Sequence, residues 1–584
     1  MSFFDFLTML GGLALFLFGM NVMGQALERR AGNSLRSILS KLTSNKFLGF
    51  LTGIAVTAII QSSSATTVMV VGFVNSGLLK LGQAINVIIG ANVGTTVTAW
   101  ILSLSGISGT SFIVKLLKPT SFSPILAMIG VVLYMFCKKD KQKDSGLILL
   151  GFATLMFGMD TMSKAVSGLA DVPAFTQLFL LFKNPILGVL AGAILTAIIQ
   201  SSSASVGILQ VLAATGQVSY GAAIPIIMGQ NIGTCITAML SSVGTNKNAK
   251  RTAFVHLAFN ILGSIIGLIL FCVIDFIFKP VLFDAAASYL GIAICHTAFN
   301  LLCTVVLLPA SKLLEKIACK LVPDGKGNDK VAELDERLLA TPAVALEQSH
   351  VLTLKMAEVS VSSLKDALGC MNNYSPATAE NIRNSEEETD HYEDVLSSYL
   401  VKLSTHQLTN AENAEVSKLL KIIGDLERIS DHSVNLVESF EEIKEKELTL
   451  SDFAKSELTV LMNAVSEVLD NTLQALVSND VHAAYVVEPL EQVIDDLKEQ
   501  IRSRHIYRLQ QGECTISAGF VLSDILTNLE RTSDHCSNIC ACVIDMAHSN
   551  MKLHESVRAI RADSEEYKQN YKDYLQKYAL PNNL

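Results

Sequence analysis

The nine residues TAIIQSSSA occur at Thr57–Ala65 and again, unchanged, at Thr196–Ala204. Each copy lies inside a long apolar segment, where a glutamine and three serines are costly if water is excluded. The apolar runs on either side of QSSS are about a dozen residues each. That is too short to cross a hydrocarbon core of about 30 Å singly, and too long together for one spanning helix. Each pair therefore reads as a helical hairpin that enters the membrane and returns. A turn at such depth exposes helix-end N–H and C=O groups, and survives only when buried in protein or lining a wet cavity. Ser62, Ser63 and Ser64 at the tip can cap the returning helix.

The composition around these stretches is of two kinds. Residues 1–310 hold 18 Lys+Arg against 8 Asp+Glu, a net of +10, and the remainder holds 27 against 46, a net of −19. Of 36 glycines, 30 fall in the first part. This predicts a membrane domain over 1–310 followed by an acidic soluble domain. The run Ile85–Leu104 carries no charge and has the length of a membrane span. Phe3–Met23 lacks a basic n-region and reads as a membrane helix, not as a cleavable signal. Eleven cysteines without disulfide-type spacing argue against an oxidised framework. Cys536, Cys540 and Cys542 after His535 read as small residues on a helix face, with a metal site as the lesser alternative.

The repeat extends beyond the quoted residues. An offset of 139 aligns Gly12 with Gly151, Phe18–Met20 with Phe157–Met159, and GANVGTT at Gly90–Thr96 with GQNIGTC at Gly229–Cys235. The two repeats cover about 12–104 and 151–243, an internal symmetry typical of secondary transporters. Full spans are expected near 3–24, 84–104, 122–137, 146–167, 221–242, 252–278 and 288–310. The basic clusters Arg29/Arg30/Arg36/Lys41/Lys46, Lys138–Lys143, Lys247/Lys250/Arg251 and Lys312/Lys316/Lys320 are then all cytoplasmic, provided the QSSS segments do not cross. The N-terminus is placed outside, and the hairpins open to opposite faces. The fold class expected is all-α, polytopic, with inverted repeats and two re-entrant hairpins, the odd helix at 122–137 supplying the inversion.

Two tips meeting near the midplane would surround one point with helix N-termini, six hydroxyls and two amides. Gln61, Ser62, Ser63, Ser64, Gln200, Ser201, Ser202 and Ser203 are the candidate oxyanion ligands, since neutral donors and helix N-termini bind phosphate or sulfate without arginine. No Arg or Lys lies within the hairpin cores. Sodium is the natural counter-ion, with hard oxygens from Thr66, Thr67, Asn92, Thr95, Ser205, Asn231 and Thr234. Small polar residues also serve simply as helix glue, but two identical copies in inverted positions favour a site. His256, His296 and Asp160 are ambiguous: buried structural groups or functional ones, with Lys164 a ready partner for Asp160.

These motifs resemble a known family. QSSSATT at Gln61–Thr67 and QSSSASV at Gln200–Val206 are similar to the paired QSSS signatures of type II sodium–phosphate cotransporters. FVHLAFN at Phe254–Asn260 and CHTAFN at Cys295–Asn300 look like that family's later segments. The resemblance covers about 1–310 and implies sodium-driven phosphate uptake, with QSSS at the substrate. Ser205–Val206 stands where the first copy has Thr66–Thr67, so the ion sites of the halves need not match.

After a linker over 311–344, residues 345–570 read as a helical bundle of about six helices, with a tail at 571–584. LERISDHSVNL at Leu426–Leu436 matches LERTSDHCSNI at Leu529–Ile539, offset by 103. Glu-x-x-x-Asp pairs recur as Glu386/Asp390, Glu427/Asp431, Glu491/Asp495 and Glu530/Asp534. Spacing of i,i+4 puts both carboxylates on one helix face, able to share a divalent or ferric ion. A single pair reads as a solvated acidic face, and recurrence in both repeats raises the metal reading beside it. These sequences resemble PhoU-type domains, which implies regulation of phosphate movement and a choice of phosphate over other oxyanions. The expected protein is a sodium–phosphate symporter of the plasma (inner) membrane, with a cytoplasmic PhoU-like domain. Its partners are phosphate, sodium and membrane lipids, with no nucleic acid and with self-association left open. An exporter and a non-transporting sensor are the alternatives. No P-loop or nucleophile–base pair suggests an enzyme.

Overall fold

A computed structural model describes residues 3–40, 45–107, 118–167, 184–323, 334–406, 408–547 and 565–581. Lys41, the segment 168–183, linker residues 324–333 and the last three residues of the tail lie outside them. The described residues are 87% helical, and the chain divides into two compact units, Met1–Val344 and Ala345–Leu584.

The first unit contains α1 (Phe3–Ser40), α2 (Lys46–Ile60), α3 (Ser63–Asn75), α4 (Leu81–Ser103), α5 (Pro119–Phe136) and α6 (Asp140–Val166). It continues with α7 (Pro185–Ile199), α8 (Ser202–Ala213), α9 (Tyr220–Ser241), α10 (Lys247–Phe278), α11 (Tyr289–Leu307) and α12 (Ser311–Leu321). Polar residues set the helix starts: Asn45, Ser219, Asn246 and Ser288 each accept a first-turn N–H through the side chain. Six helices, α1, α4, α6, α9, α10 and α11, are long and apolar enough to cross a membrane. The seventh expected span corresponds to α5, a continuous 18-residue helix that contains Pro124 and is not one of those six. The arms α2, α3, α7 and α8 are shorter still.

Glycines fix how these helices meet. Gly12 stands against Gly158 and Met162, and Gly19 against Gly151 and Leu155, so α1 and α6 run antiparallel. The glycines correspond under the 139-residue offset, so equivalent helices of the two repeats pack head to tail. In α2 and α4 the contacts advance together. Gly53 meets Val87 and Ala91, while Gly94 meets Ile54 and Thr57, so these helices are parallel. Because Ser76–Lys80 connects α3 to α4 directly, α3 returns to the side from which α2 started. The second repeat does the same, with Gly192 against Ile226 and Gln230 and Gly233 against Ala193 and Thr196.

Three contacts tie described members of the basic clusters to other segments of the unit. Arg29 Nε donates to Asp144 at 2.9 Å, Lys46 Nζ to Ser311 Oγ at 2.9 Å, and Arg251 Nε to the Val322 carbonyl at 2.9 Å. The helices α5, α7 and α10 turn large apolar side chains outward, among them Met135, Ile198 and Phe276.

The second unit is built on α13 (Pro342–Asn373), which begins in the first, then α14 (Pro376–Ser404), α15 (Asn410–Glu445), α16 (Asp452–Ser478), α17 (Val487–Gln510), α18 (Ile516–Ala547) and α19 (Glu565–Lys577). Thr409 and Glu412 form a capping box that starts α15. The duplicated helices α15 and α18 face each other about a local pseudo-dyad. His432 and His535 stack with centroids 5.6 Å apart. His432 Nδ1 meets Asn528 Oδ1 at 2.9 Å, and His535 Nδ1 meets Asp425 Oδ1 at 2.9 Å. Asp425 and Asn528 are themselves related by the 103-residue offset.

Candidate functional site

Both QSSS segments adopt one backbone. Gln61 (φ 60°) and Gln200 (φ 58°) are left-handed and close the first arm, their N–H groups donating to Thr57 and Thr196 carbonyls at 2.8 and 2.7 Å. Ser62 and Ser201 are extended, and each Oγ accepts from the amide three residues on, Ala65 and Ala204, at 3.2 Å. The returning helices thus start at Ser63 and Ser202 with capped N-termini. A non-glycine residue in this region costs on the order of 1–2 kcal/mol.

The surroundings of the two turns differ. Gln61 is buried, its Oε1 accepting from Thr98 Oγ1 at 3.0 Å and its Nε2 donating to the Ala58 carbonyl at 2.5 Å. Gln200 is exposed. The tips touch where Ser64 Oγ donates to the Gln200 carbonyl at 3.4 Å. Ser63, Ser202 and Ser203 are buried, while Ser62, Ser64 and Ser201 are half-buried. Gln210 of α8 reaches across the repeats, its Nε2 donating to the Ala99 and Tyr289 carbonyls at 3.2 and 3.0 Å.

The candidate sodium oxygens are buried but mostly engaged. Thr66 Oγ1 donates to the Ser62 carbonyl and accepts from Thr57 Oγ1 at 3.1 Å, and Thr67 Oγ1 donates to the Ser63 carbonyl at 2.7 Å. Asn92, Thr95 and Thr234 donate to carbonyls of their own helices. Asn231 turns instead to Asn300, its Nδ2 donating to Oδ1 at 2.8 Å, with His296 Nε2 3.4 Å from its own Oδ1. Ser205 Oγ, Thr196 Oγ1 and both amide atoms of Gln230 are buried without a hydrogen-bond partner among the described residues. In the first repeat the equivalent Thr57 and Thr66 satisfy one another, so at this pair of positions the open hydroxyls lie in the second. Thr98, Gln210 and Gln230 were not legible as site residues. Thr196 was within the duplicated stretch, and Gln230 was marked only by replacing Ala91 of the other repeat. Asp160 pairs with Lys164 at 2.5 Å.

In the second unit, Glu386 and Asp390 on α14 face Glu427 and Asp431 on α15. Burial pushes the Glu386 and Glu427 carboxyls above their ordinary range, and the Asp431 charge adds to each. Asp431 is raised by burial and by Asp390, against the pull of Arg428. In the other half, burial and Asp495 raise Asp534 while a hydrogen bond from Glu491 acts the other way. There Glu530 is paired with Lys498 at 3.1 Å. Among the described residues no three His, Cys, Asp or Glu side chains already converge as metal ligands. The raised carboxyls are disfavoured in their ionised forms by burial and by one another. Cys536, Cys540 and Cys542 are buried free thiols, Cys536 pushed up to about 12 by burial.

The Na+/Pi-cotransporter family profile matches residues 15–164 and again 155–303, and the PhoU domain profile matches 353–440 and 458–543. The protein of Salmonella typhimurium named "Putative inorganic phosphate export protein YjbB" is 25% identical over 553 residues, covering 92% of this chain and 97% of that protein. The uncharacterized protein YqeW of Bacillus subtilis is 30% identical over 309 residues, 53% of this chain and 95% of that one. Sodium-dependent phosphate transport protein 2A of Rattus norvegicus is 40% identical over 98 residues, 16% of this chain and 15% of the relative. A crystal structure of PhoU from Pseudomonas aeruginosa covers 35% of this chain and 98% of its own, with 20% identity and a TM-score of 0.33. The chain therefore belongs to the Na+/Pi-cotransporter family and carries a C-terminal PhoU domain. That family is one of phosphate transporters rather than of enzymes.

Proposed function

We propose that this protein moves inorganic phosphate together with sodium, through a site at the joint between the two QSSS turns. The observation that carries this reading is the Ser64–Gln200 contact, which joins two turns of one backbone, each opening a helix at its serines. Two helix N-termini and six serine hydroxyls around one point suit a tetrahedral anion without Arg or Lys. Sodium would take oxygens from the Thr66, Thr67, Asn92, Thr95, Ser205, Asn231 and Thr234 set, and the open hydroxyl of Ser205 favours the second repeat. In this reading the repeats are inverted, the hairpins enter from opposite faces, the N-terminus lies outside, and the basic clusters and PhoU domain are cytoplasmic. The PhoU domain regulates, and its two carboxylate sets would hold a divalent or ferric ion that supplies charge neutralisation between α14 and α15 and between α17 and α18.

Direction is set by gradients. An inward sodium gradient gives uptake, whereas the name of the YjbB relative, matched over both units, favours export as the second reading. Purified protein in vesicles under imposed sodium gradients should carry labelled phosphate in a sodium-dependent manner, and replacement of Ser62–Ser64 by alanine should reduce that flux at least tenfold. Flux indifferent to sodium overturns the coupling, and phosphate binding without flux makes the protein a sensor.

A further inference from the structure

The segment between the membrane helices and the PhoU domain is seated on the membrane unit. Asp335 and Leu338, flanking and within the 3₁₀ turn Glu336–Ala340, are buried, at 2% and 0% exposure. Asp335 Oδ2 accepts from Asn75 Nδ2 at 2.8 Å, at the end of α3. Arg337 forms a fork on Asp335, both contacts at 3.0 Å, and also donates to the Ser241 and Val243 carbonyls at 2.5 and 3.0 Å, where α9 ends. A cation there also complements the helix C-terminus. Asn75 in turn holds Asn246, the N-cap of α10, through its Oδ1 and its carbonyl, both at 2.8 Å.

The surface that receives the segment is where the first repeat departs from the second. Leu338 lies on Gly72, where a Cβ would stand 2.9 Å from its Cδ2. The 139-residue offset pairs Gly72 with Val211 and Asn75 with Ala214. A valine would fill the place of Leu338, and an alanine could not hold Asp335. Gly72 therefore makes room for the segment, and Asn75 serves both the segment and the N-cap of α10.

We propose that Asp335–Thr341 is a latch across the seam between the two repeats, through which the PhoU domain controls access to the QSSS site. It ties α3, which opens at the first QSSS turn, to α9, which carries Asn231 and Thr234. Any movement of one repeat against the other on this face must stretch or break the Asp335, Arg337 and Leu338 contacts. The latch is continuous with α13, on which the PhoU domain begins, so a change of shape there pulls on it directly. Asp335 and Arg337 act as positioning residues, since they touch neither tip.

The inference rests on the transport reading for its purpose but has a readout of its own. In full-length protein with the exposed Cys272 replaced by serine, Ser64→Cys reports access to the tip through its rate of labelling by an impermeant maleimide from the face that carries Arg337. Arg337→Ala, and separately Asn75→Asp, which sets a carboxylate against Asp335, should each raise that rate threefold or more. Maximal phosphate flux, measured without the reporter, should change by a similar factor with KM for phosphate unchanged. Unchanged labelling in both variants overturns the latch, as does a change confined to KM. If labelling responds while wild-type protein moves no phosphate, the latch stands and the transport reading falls.

Discussion

Glutamine is an unusual occupant of a left-handed turn, yet it holds that conformation at both Gln61 and Gln200. Glycine would adopt it without steric cost, so a glutamine there carries a backbone cost that glycine would not. At Gln61 the amide is fixed by Thr98 and Ala58 beside the first serine cap. Gln61→Gly should relieve about 1–2 kcal/mol of backbone cost and lose two hydrogen bonds of about 1 kcal/mol each, leaving thermal stability nearly unchanged. Phosphate flux should nevertheless fall at least tenfold. Parallel loss of melting temperature and flux would show that the side chain is structural only.

At the scale of elements, the paired glycines decide how closely the hairpin arms meet their neighbours. A Cβ on Gly53 would fall 2.0 Å from the Val87 carbonyl oxygen, and one on Gly192 2.0 Å from that of Ile226, where only backbone stands and little can yield. Gly53→Ala and Gly192→Ala should each destabilise by about 1–3 kcal/mol or more, through overpacking. Gly11→Ala, with nothing within 4 Å, should be neutral or slightly stabilising. Thermal unfolding in detergent checks the contrast, and equal effects at all three positions would contradict the packing described. The QSSS tips depend on this spacing, because parallel packing of α2 on α4 sets where along α4 the chain turns.

At the scale of the whole molecule, a basic membrane unit is joined to an acidic one whose carboxylates are crowded. Glu386, Glu427, Asp431 and Asp534 have raised folded-state values, so their ionised forms are disfavoured on folding. The sign follows directly: these groups oppose stability above their folded values, and that opposition is relieved as pH falls through them. A divalent cation should replace protons in this role. Melting of the PhoU domain within the full-length protein should rise by several degrees with millimolar manganese or calcium at pH 8, fall back with chelator, and respond little at pH 5. A response equal at both pH values would mean that these carboxylates are not the ligands.

The duplicated QSSS stretch, its offset of 139 and the duplicated Glu-x-x-x-Asp helices were legible in the sequence because they are local and periodic. Apolar run lengths gave the short arms, and serine after a left-handed residue supplied caps wherever it fell. The family, too, was carried by motifs contiguous in the chain. Other features depended on distant parts of the chain meeting. Asn231 also meets Asn300 and His296, 69 and 65 residues away, contacts that no local pattern announced. Identical turns acquired unlike surroundings, since Thr98 reaches Gln61 while Gln200 stays exposed. Residues 311–344 read as linker from composition, yet α12 and the latch belong to the membrane unit, which extends to Val344. Composition reports whether a segment can bury itself; it carries no information on which groove another part of the chain leaves open. Gly72 and Asn75 provide that groove 260 residues before Asp335 arrives to fill it, and only tertiary packing could bring them together.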